Sequence, residues 1–180
     1  MRIEVISGSP RANSVTIRVA KHLFERLQKD GHDVGMIDVR EWPFPAYQQA
    51  VFSQVDTAPA ELQPVVARIL AADAFVIVTP EYNGTYTAAL KNLFDHFPKQ
   101  SRKVFALATA SPGALGGARA TQQLLLLVPA LFGITSPHLL ITPQVEQKFD
   151  ASGSLVDPGF QKSIDNFLQE FIWLAQKVRG

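Results

Sequence analysis

Side chains that could bind a ligand or take part in a reaction lie directly after the apolar segments of this sequence, where buried strands would end. One such loop, Gly8–Ser14, follows Ile3–Ile6 and combines Ser9 with Arg11. A phosphate carries close to two negative charges, so it needs several hydrogen-bond donors and preferably a fixed cation. Free N–H groups at the start of the following helix would point into the same space. The loop lacks the Gly-Lys-Ser/Thr and G-x-G-x-x-G patterns and predicts a mononucleotide phosphate site, although Ser and Asn also commonly cap helices.

A polar turn follows the apolar segment Ala74–Thr79. Pro80 fixes the direction in which the chain leaves the strand, the next three residues offer polar groups, and Gly84 is free in φ. Binding a flat heteroaromatic ring with an imide edge requires such a combination of polar groups and a flexible backbone. The alternative is a turn that only ends a strand.

A glycine-rich segment, Thr109–Arg119, follows the apolar segment Val104–Ala108 and contains three glycines. Its backbone N–H groups would come within reach of a ring oxygen and stabilise negative charge there. A glycine-rich turn before a helix is common by itself. Three loops suited to binding, each directly after a predicted strand, are uncommon.

Together these loops resemble the NADPH-dependent FMN reductase family of flavodoxin-like proteins. The family signatures G-S-x-R-x-x-S, P-E-Y-N followed by L-K-N-x-x-D, and S-x-G-x-x-G-G-x-R are matched by Gly8–Ser14, by Pro80–Asn83 with Leu90–Asp95, and by Ser111–Arg119. The resemblance covers most of residues 1–130 and fades after that.

The resemblance implies a bound FMN that takes hydride from NAD(P)H and passes electrons to a second acceptor in ping-pong order. That acceptor would be free flavin, a quinone, an azo compound or an oxidised metal species. Since the flavin carries the chemistry, no catalytic side chain is required. The residues expected to bind the cofactor are Ser9, Arg11, Asn13, Ser14, Val15, Pro80, Glu81, Tyr82, Asn83, Gly84, Ser111, Pro112, Gly113 and Gly116.

Two other functions stay open at this point. A flavodoxin-like electron carrier would bind FMN but would have no pyridine-nucleotide site. Flavodoxins tend to be strongly acidic, whereas this chain has a net charge of +1. A binding or regulatory module that has lost its flavin is the third possibility, and the intact loops argue against it.

Apolar segments alternate with helical patterns along the chain, which predicts an α/β fold with a parallel sheet covered on both faces. The resemblance implies a flavodoxin-like three-layer sandwich with strand order 2-1-3-4-5. The predicted strands are Ile3–Ile6, Val34–Val39, Phe75–Thr79, Val104–Ala108 and His138–Thr142. The predicted helices include Ser14–Lys29, opening at Asn13 or Ser14, together with Thr87–Phe97 and Gly117–Phe132. The long connection Trp42–Pro59 is a possible flap.

Composition limits the remaining choices. A chain of 180 residues that is 47% hydrophobic predicts one domain, 1–180. The balance of 17 basic and 16 acidic residues argues against nucleic acid or an anionic membrane as the partner. The absence of cysteine removes disulfides and thiolate metal sites, and the four scattered histidines lack metal-ligand spacing. We therefore expect a cytoplasmic protein without a metal or a membrane span.

The helical patterns Thr87–Phe97 and Gly117–Phe132 carry more apolar residues than one sheet face can cover. Pro129 should kink the second helix or end it early. The alternative is burial against neighbouring elements of the same chain. The prediction is a homodimer, or a tetramer built from two dimers, with these helices in the dimer contact and the flavin clefts near the subunit boundary, as the resemblance also implies.

Overall fold

One parallel sheet organises the chain. The computed structural model describes residues 1–42, 44–46 and 51–180. Within them the strand order is β2-β1-β3-β4-β5, which confirms the predicted flavodoxin-like sheet. The strands are β1 (Arg2–Ser7), β2 (Asp33–Asp38), β3 (Ala74–Thr79), β4 (Val104–Ala110) and β5 (Ile134–Thr142).

Helices cover both faces of the sheet. The α-helices in the described residues are α1 (Thr16–Lys29), α2 (Gln63–Ala71), α3 (Ala88–Asp95), α4 (Ala118–Ala130), α5 (Val145–Lys148) and α6 (Gln161–Arg179). Helices α1 and α6 pack on one face, and α2, α3 and α4 pack on the other. The layers are therefore those of a three-layer α/β/α sandwich.

The central strand β3 is buried along its whole length. Val76 points to the α1 and α6 side, and Phe75 points to the opposite side. There Phe75 stacks on Phe105 with ring centroids 4.9 Å apart, and Phe94 of α3 meets Phe75 edge-on at 5.9 Å. Large buried rings fix the spacing between strands and helices. The carboxyl ends of β1, β3 and β4 are thus held in a fixed arrangement.

Strand β5 begins at Ile134, earlier than the predicted start at His138. Pro137 lies inside the strand, where the register against β4 shifts between Phe105 and Leu107. Proline has no N–H to donate, but β5 is an edge strand and a bulge at that point accommodates it. Starting the predicted strand only after the proline, at His138, was therefore wrong.

The helix ends also differ from the predicted ones. Helix α1 begins at Thr16, slightly later than Asn13 or Ser14, so the first loop extends through Val15. Helix α4 ends at Ala130, directly after Pro129. There the N–H of Gly133 donates to the carbonyl of Val128 at 3.0 Å, a bond that closes the last turn. Pro129 therefore lies in the final turn.

Candidate functional site

A crevice of about 170 Å³ opens at the carboxyl ends of β1, β3 and β4. This is the edge at which open α/β sheets bind ligands. All three predicted loops contribute to its lining. The predicted residues that do not line it are Asn83, Gly84, Gly113 and Gly116. The lining residues are Ser9, Arg11, Asn13, Ser14, Val15, Thr16, Pro80, Glu81, Tyr82, Ala110, Ser111 and Pro112.

The first loop is anchored to its neighbours by backbone contacts. The N–H of Gly8 donates to the carbonyl of Val78 at 2.8 Å, and the hydroxyl of Thr87 donates to the carbonyl of Gly8. The same Thr87 hydroxyl caps α3 by accepting the N–H of Leu90 at 3.1 Å. Thr87 therefore ties the loop to the start of α3. Sequence reasoning missed this residue, although a threonine before an apolar helix is a recognisable cap signal.

Arg11 is the cation of the crevice. Its guanidinium carbon lies 4.8 Å from the ring centroid of Tyr82, and it forms no ion pair with any residue in the described part of the chain. The Oγ of Ser14 is buried and lacks a hydrogen-bond partner within that same part. The first turn of α1 contains no acidic residue, so its positive end is not neutralised from within the helix. These groups suit a bound phosphate.

Arg40 holds the first loop from the side of β2. Its Nη1 donates to the carbonyl of Ala12 at 2.8 Å, and its Nε donates to the buried carboxylate of Asp38 at 3.0 Å. The hydrogen bond to Asp38 raises the pKa of Arg40. Asp38 thus neutralises Arg40, whereas the charge of Arg11 stays available to a ligand. Sequence reasoning did not single out this pair.

The turn after β3 is a tight hairpin. The N–H of Tyr82 donates to the carbonyl of Thr85 at 2.8 Å, and the N–H of Thr85 donates back at 3.1 Å. Asn83 and Gly84 have φ of 50° and 85°. Two consecutive positive φ values define a type I′ turn, for which Asn-Gly is the favoured sequence. Asn83 and Gly84 therefore give the turn its shape. The hydroxyl of the neighbouring Tyr82 is buried and has no hydrogen-bond partner among the described residues.

The glycine-rich loop after β4 uses part of its own hydrogen-bonding capacity. The N–H of Gly113 donates to the Ser111 hydroxyl at 3.0 Å, and the N–H of Gly116 donates to the carbonyl of Gly113 at 3.3 Å. A Cβ on Gly116 would lie 2.6 Å from the nitrogen of Pro143. Gly116 therefore permits close packing against the end of β5. Its contact with a ring oxygen stays a prediction.

Glu81, in the turn after β3, links this turn to the end of the glycine-rich loop. Its carboxylate accepts the backbone N–H of Arg119 at 3.1 Å and faces the Arg119 guanidinium at 3.4 Å. The side chain is only 16% exposed. The Glu81 carboxylate is thus engaged with the start of α4.

A second, larger cleft of about 680 Å³ runs along α3. The described part of the predicted flap borders it: the N–H of Phe52 donates to the carbonyl of His96 at 2.7 Å, and Asn92 donates to the carbonyl of Pro45 at 3.0 Å. Residues 43 and 47–50 of Trp42–Pro59 lie outside the described residues. The flap stays a prediction.

Within residues 1–42, 44–46 and 51–180, no cluster of three or more histidine or acidic side chains is placed to hold a metal ion. None of the helices described there is long and apolar enough to cross a bilayer.

The family model for NADPH-dependent FMN reductase matches residues 1–147 of the chain. The chain belongs to this family. The resemblance predicted from the three loops is confirmed, and the protein is a flavin-dependent oxidoreductase with FMN as cofactor and NAD(P)H as co-substrate.

Curated relatives agree with this assignment, and a solved structure agrees with the fold. A probable NADPH:quinone oxidoreductase 2 from Oryza sativa subsp. japonica is 29% identical, in an alignment that covers 100% of this chain and 91% of the relative. An FMN-dependent NADPH-azoreductase from Staphylococcus aureus is 26% identical, with 93% and 92% covered. The fold is similar to that of FerB, a flavoenzyme NAD(P)H:(acceptor) oxidoreductase from Paracoccus denitrificans, with a TM-score of 0.73, 21% identity, and 98% and 97% of the two chains covered.

Proposed function

We propose that this reductase passes electrons from NAD(P)H, through FMN in the crevice, to a small-molecule acceptor in a ping-pong cycle. The observation that carries the proposal is the crevice itself, which brings an unneutralised arginine, a helix amino terminus and two unpartnered buried hydroxyls together among the residues described. Bound FMN would supply the hydride and electron transfer. The chain's residues bind and orient it.

The first loop is the proposed phosphate site. Arg11 supplies the charge, Ser9 supplies a donor near the end of β1, and Asn13, Ser14 and Val15 supply donors just before α1. Such charge-assisted hydrogen bonds are about twice as strong as neutral ones. Support comes from the unused Oγ of Ser14 and from the helix end that no acidic residue of its first turn neutralises. Asp38 neutralises Arg40, so Arg11 is the cation we assign to the phosphate.

The ring of the flavin is assigned to the two remaining loops. Pro80, Glu81 and Tyr82 line the crevice from the turn after β3, and Ser111 and Pro112 line it from the loop after β4. We assign Asn83, Gly84, Gly113 and Gly116 to the same cofactor site, where their backbone geometry shapes the loops. No side chain is proposed as a general acid.

The proposed acceptors are quinones and azo compounds first, since the curated relatives are a quinone oxidoreductase and an azoreductase. Free flavin and oxidised metal species are further candidates. The family assignment and the net charge of +1 favour the reductase over an electron carrier. We place the protein in the cytoplasm, as expected for a chain without cysteine.

The visible spectrum of the purified protein tests this function. A yellow protein after FMN addition and desalting, bleached by NADPH or NADH in the absence of oxygen, is the expected result. Comparing the two bleaching rates gives the nucleotide preference. A yellow protein that neither nucleotide bleaches would favour the carrier, and a protein that retains no FMN would contradict the cofactor site.

We also propose that the protein is a homodimer, or a tetramer of two dimers, with α3 and α4 in the contact. On α4 and just after it, Leu126 is 68% exposed and Phe132 is 62% exposed. The apolar residues Leu90, Leu93 and Phe94 of α3 are buried within the chain, so α3 contributes less apolar surface than its sequence predicts. Contiguous exposed apolar patches mark protein interfaces, and we assign these two side chains to such a patch.

Light scattering of the protein at micromolar concentration tests the assembly. We expect a mass of at least two chains, which Leu126→Glu reduces towards a single chain of 19.8 kDa. Leu126 suits this test because a charge at this exposed position meets solvent in a monomer, whereas the neighbouring Leu125 is partly buried in the chain's own core. A monomeric wild type would contradict the dimer, and a Leu126→Glu variant of unchanged mass would contradict the interface.

A further inference from the structure

Helix α4 begins without a cap of its own. Its N-cap residue, Gly117, has φ of 86° and no side chain, and its first turn contains no acidic residue. The first N–H groups of any helix need acceptors, and its amino terminus attracts negative charge. Glu81 meets both needs from another part of the chain, because its carboxylate accepts the N–H of Arg119 in the first turn of α4.

This contact lies beyond the point at which the sheet holds the two loops together. Thr79 and Thr109 form the last paired positions of β3 and β4. Past them, the turn after β3 and the loop after β4 both line the crevice. The Glu81 carboxylate links the two segments, because it reaches Arg119 at the far end of the second loop.

The contact is made mainly through the backbone of α4. The Glu81 side chain is 16% exposed, whereas that of Arg119 is 70% exposed, and the guanidinium contact of 3.4 Å is longer than the N–H contact of 3.1 Å. Exposed ion pairs contribute little because solvent screens them. The bond from the helix N–H is therefore the stronger part of the link.

We propose that Glu81 is a positioning residue that locks the turn Pro80–Gly84 against the start of α4 before the cofactor binds. The inference rests on the proposed function of the crevice. The Glu81 carboxylate then serves this link and neither contacts the flavin nor donates a proton, while the rest of the residue stays part of the crevice lining. Loss of the Glu81 carboxylate lets the turn after β3 and the start of α4 move independently. A smaller fraction of the protein is then competent to bind, and the apparent affinity falls by that fraction.

Four variants separate this role from others. Glu81→Ala removes the acceptor, Glu81→Gln keeps an oxygen for the helix N–H, and Arg119→Ala keeps the backbone N–H itself. Asp165→Ala is the matched control, because it removes a carboxylate that pairs with Arg26 at 2.8 Å, away from the crevice. FMN affinity of the flavin-free proteins is measured by fluorescence titration at a temperature where circular dichroism shows all of them folded.

The expected loss of FMN affinity is about tenfold for Glu81→Ala, because one hydrogen bond to a charged group is removed. Glu81→Gln and Arg119→Ala should each lose at most about threefold, since the bond to the helix N–H persists. Asp165→Ala should match the wild type. Reduction of bound FMN by NADPH should show the same pH profile in Glu81→Gln as in the wild type.

Wild-type affinity in Glu81→Ala would overturn the proposal. An equal loss in Arg119→Ala and Glu81→Ala would also overturn it, because the guanidinium would then be the operative partner. Amide exchange in the flavin-free protein tests the link without any cofactor: exchange at the Arg119 N–H should be at least about tenfold faster in Glu81→Ala. A wild type that fails to bind FMN would contradict the proposed function and leave this exchange result to decide the link.

Discussion

Replacing Arg11 with alanine should weaken FMN binding while leaving riboflavin binding unchanged. A hydrogen bond to a charged group is worth about 1.5–3 kcal/mol, and each 1.4 kcal/mol is about a tenfold change in affinity. Arg11 is exposed, so solvent and salt reduce its contribution towards the lower end of that range. The expected loss is therefore about tenfold for FMN. Arg11→Lys keeps the charge but loses the planar fork, and it should fall between wild type and alanine.

Titration by quenching of flavin fluorescence at two salt concentrations measures both affinities. Arg102→Ala is the matched control, because Arg102 is an exposed arginine that precedes β4 at the opposite edge of the sheet. It removes the same charge far from the crevice and should leave the FMN affinity unchanged. Equal losses for FMN and riboflavin in Arg11→Ala would refute the phosphate assignment. Wild-type affinity for both would refute any role of Arg11 in binding.

Three further predictions concern a glycine in the third loop, the pH dependence of stability and the order of the catalytic cycle. Gly116→Ala should lower the free energy of unfolding in urea by more than the roughly 1–2 kcal/mol expected of Gly84→Ala. Both positions have positive φ, but only at Gly116 would the new Cβ lie 2.6 Å from the nitrogen of Pro143. Equal losses in the two variants would contradict this packing. Burial lowers the pKa of His22, so the unfolded chain binds a proton at higher pH than the folded protein does. The stability that neutral His22 contributes is present above about pH 6.5 and is lost as the pH falls from there. His22→Gln should flatten this loss in thermal unfolding between about pH 7 and pH 5. An unchanged slope in His22→Gln would exclude His22 as its source. Double-reciprocal plots at several acceptor concentrations should be parallel, whereas intersecting lines would mean that donor and acceptor bind together.

The sheet and the crevice followed from features that are local in sequence. Short apolar segments predicted the strands, and polar loops directly after β1, β3 and β4 predicted the site, because parallel strands bring their carboxyl ends to one edge. The strand order itself came from the resemblance, since apolar segments do not specify their neighbours. The start of β5 was missed because Pro137 ends a central strand but is tolerated in an edge strand, and the sequence does not show which strand lies at the edge.

The supporting contacts of the site were the part that sequence reasoning could not reach. Arg40 contacts Ala12, Thr87 contacts Gly8, and Glu81 contacts Arg119, and in each case the partners are far apart in the chain. Such pairs depend on strand order and on helix placement. The Asn83-Gly84 pair is the exception, because a type I′ turn is encoded locally and was open to prediction from the two residues alone.

The central claim is that this chain binds FMN in the crevice and uses it to carry electrons from NAD(P)H to an acceptor. An anaerobic titration of the FMN-loaded protein tests it most directly. One equivalent of NADPH per bound FMN should bleach the yellow colour, because a hydride carries the two electrons that FMN accepts. One equivalent of a quinone should then restore the colour as it takes up two electrons and two protons. Failure of NADPH to bleach the bound FMN, or of every acceptor class to restore its colour, would contradict the account.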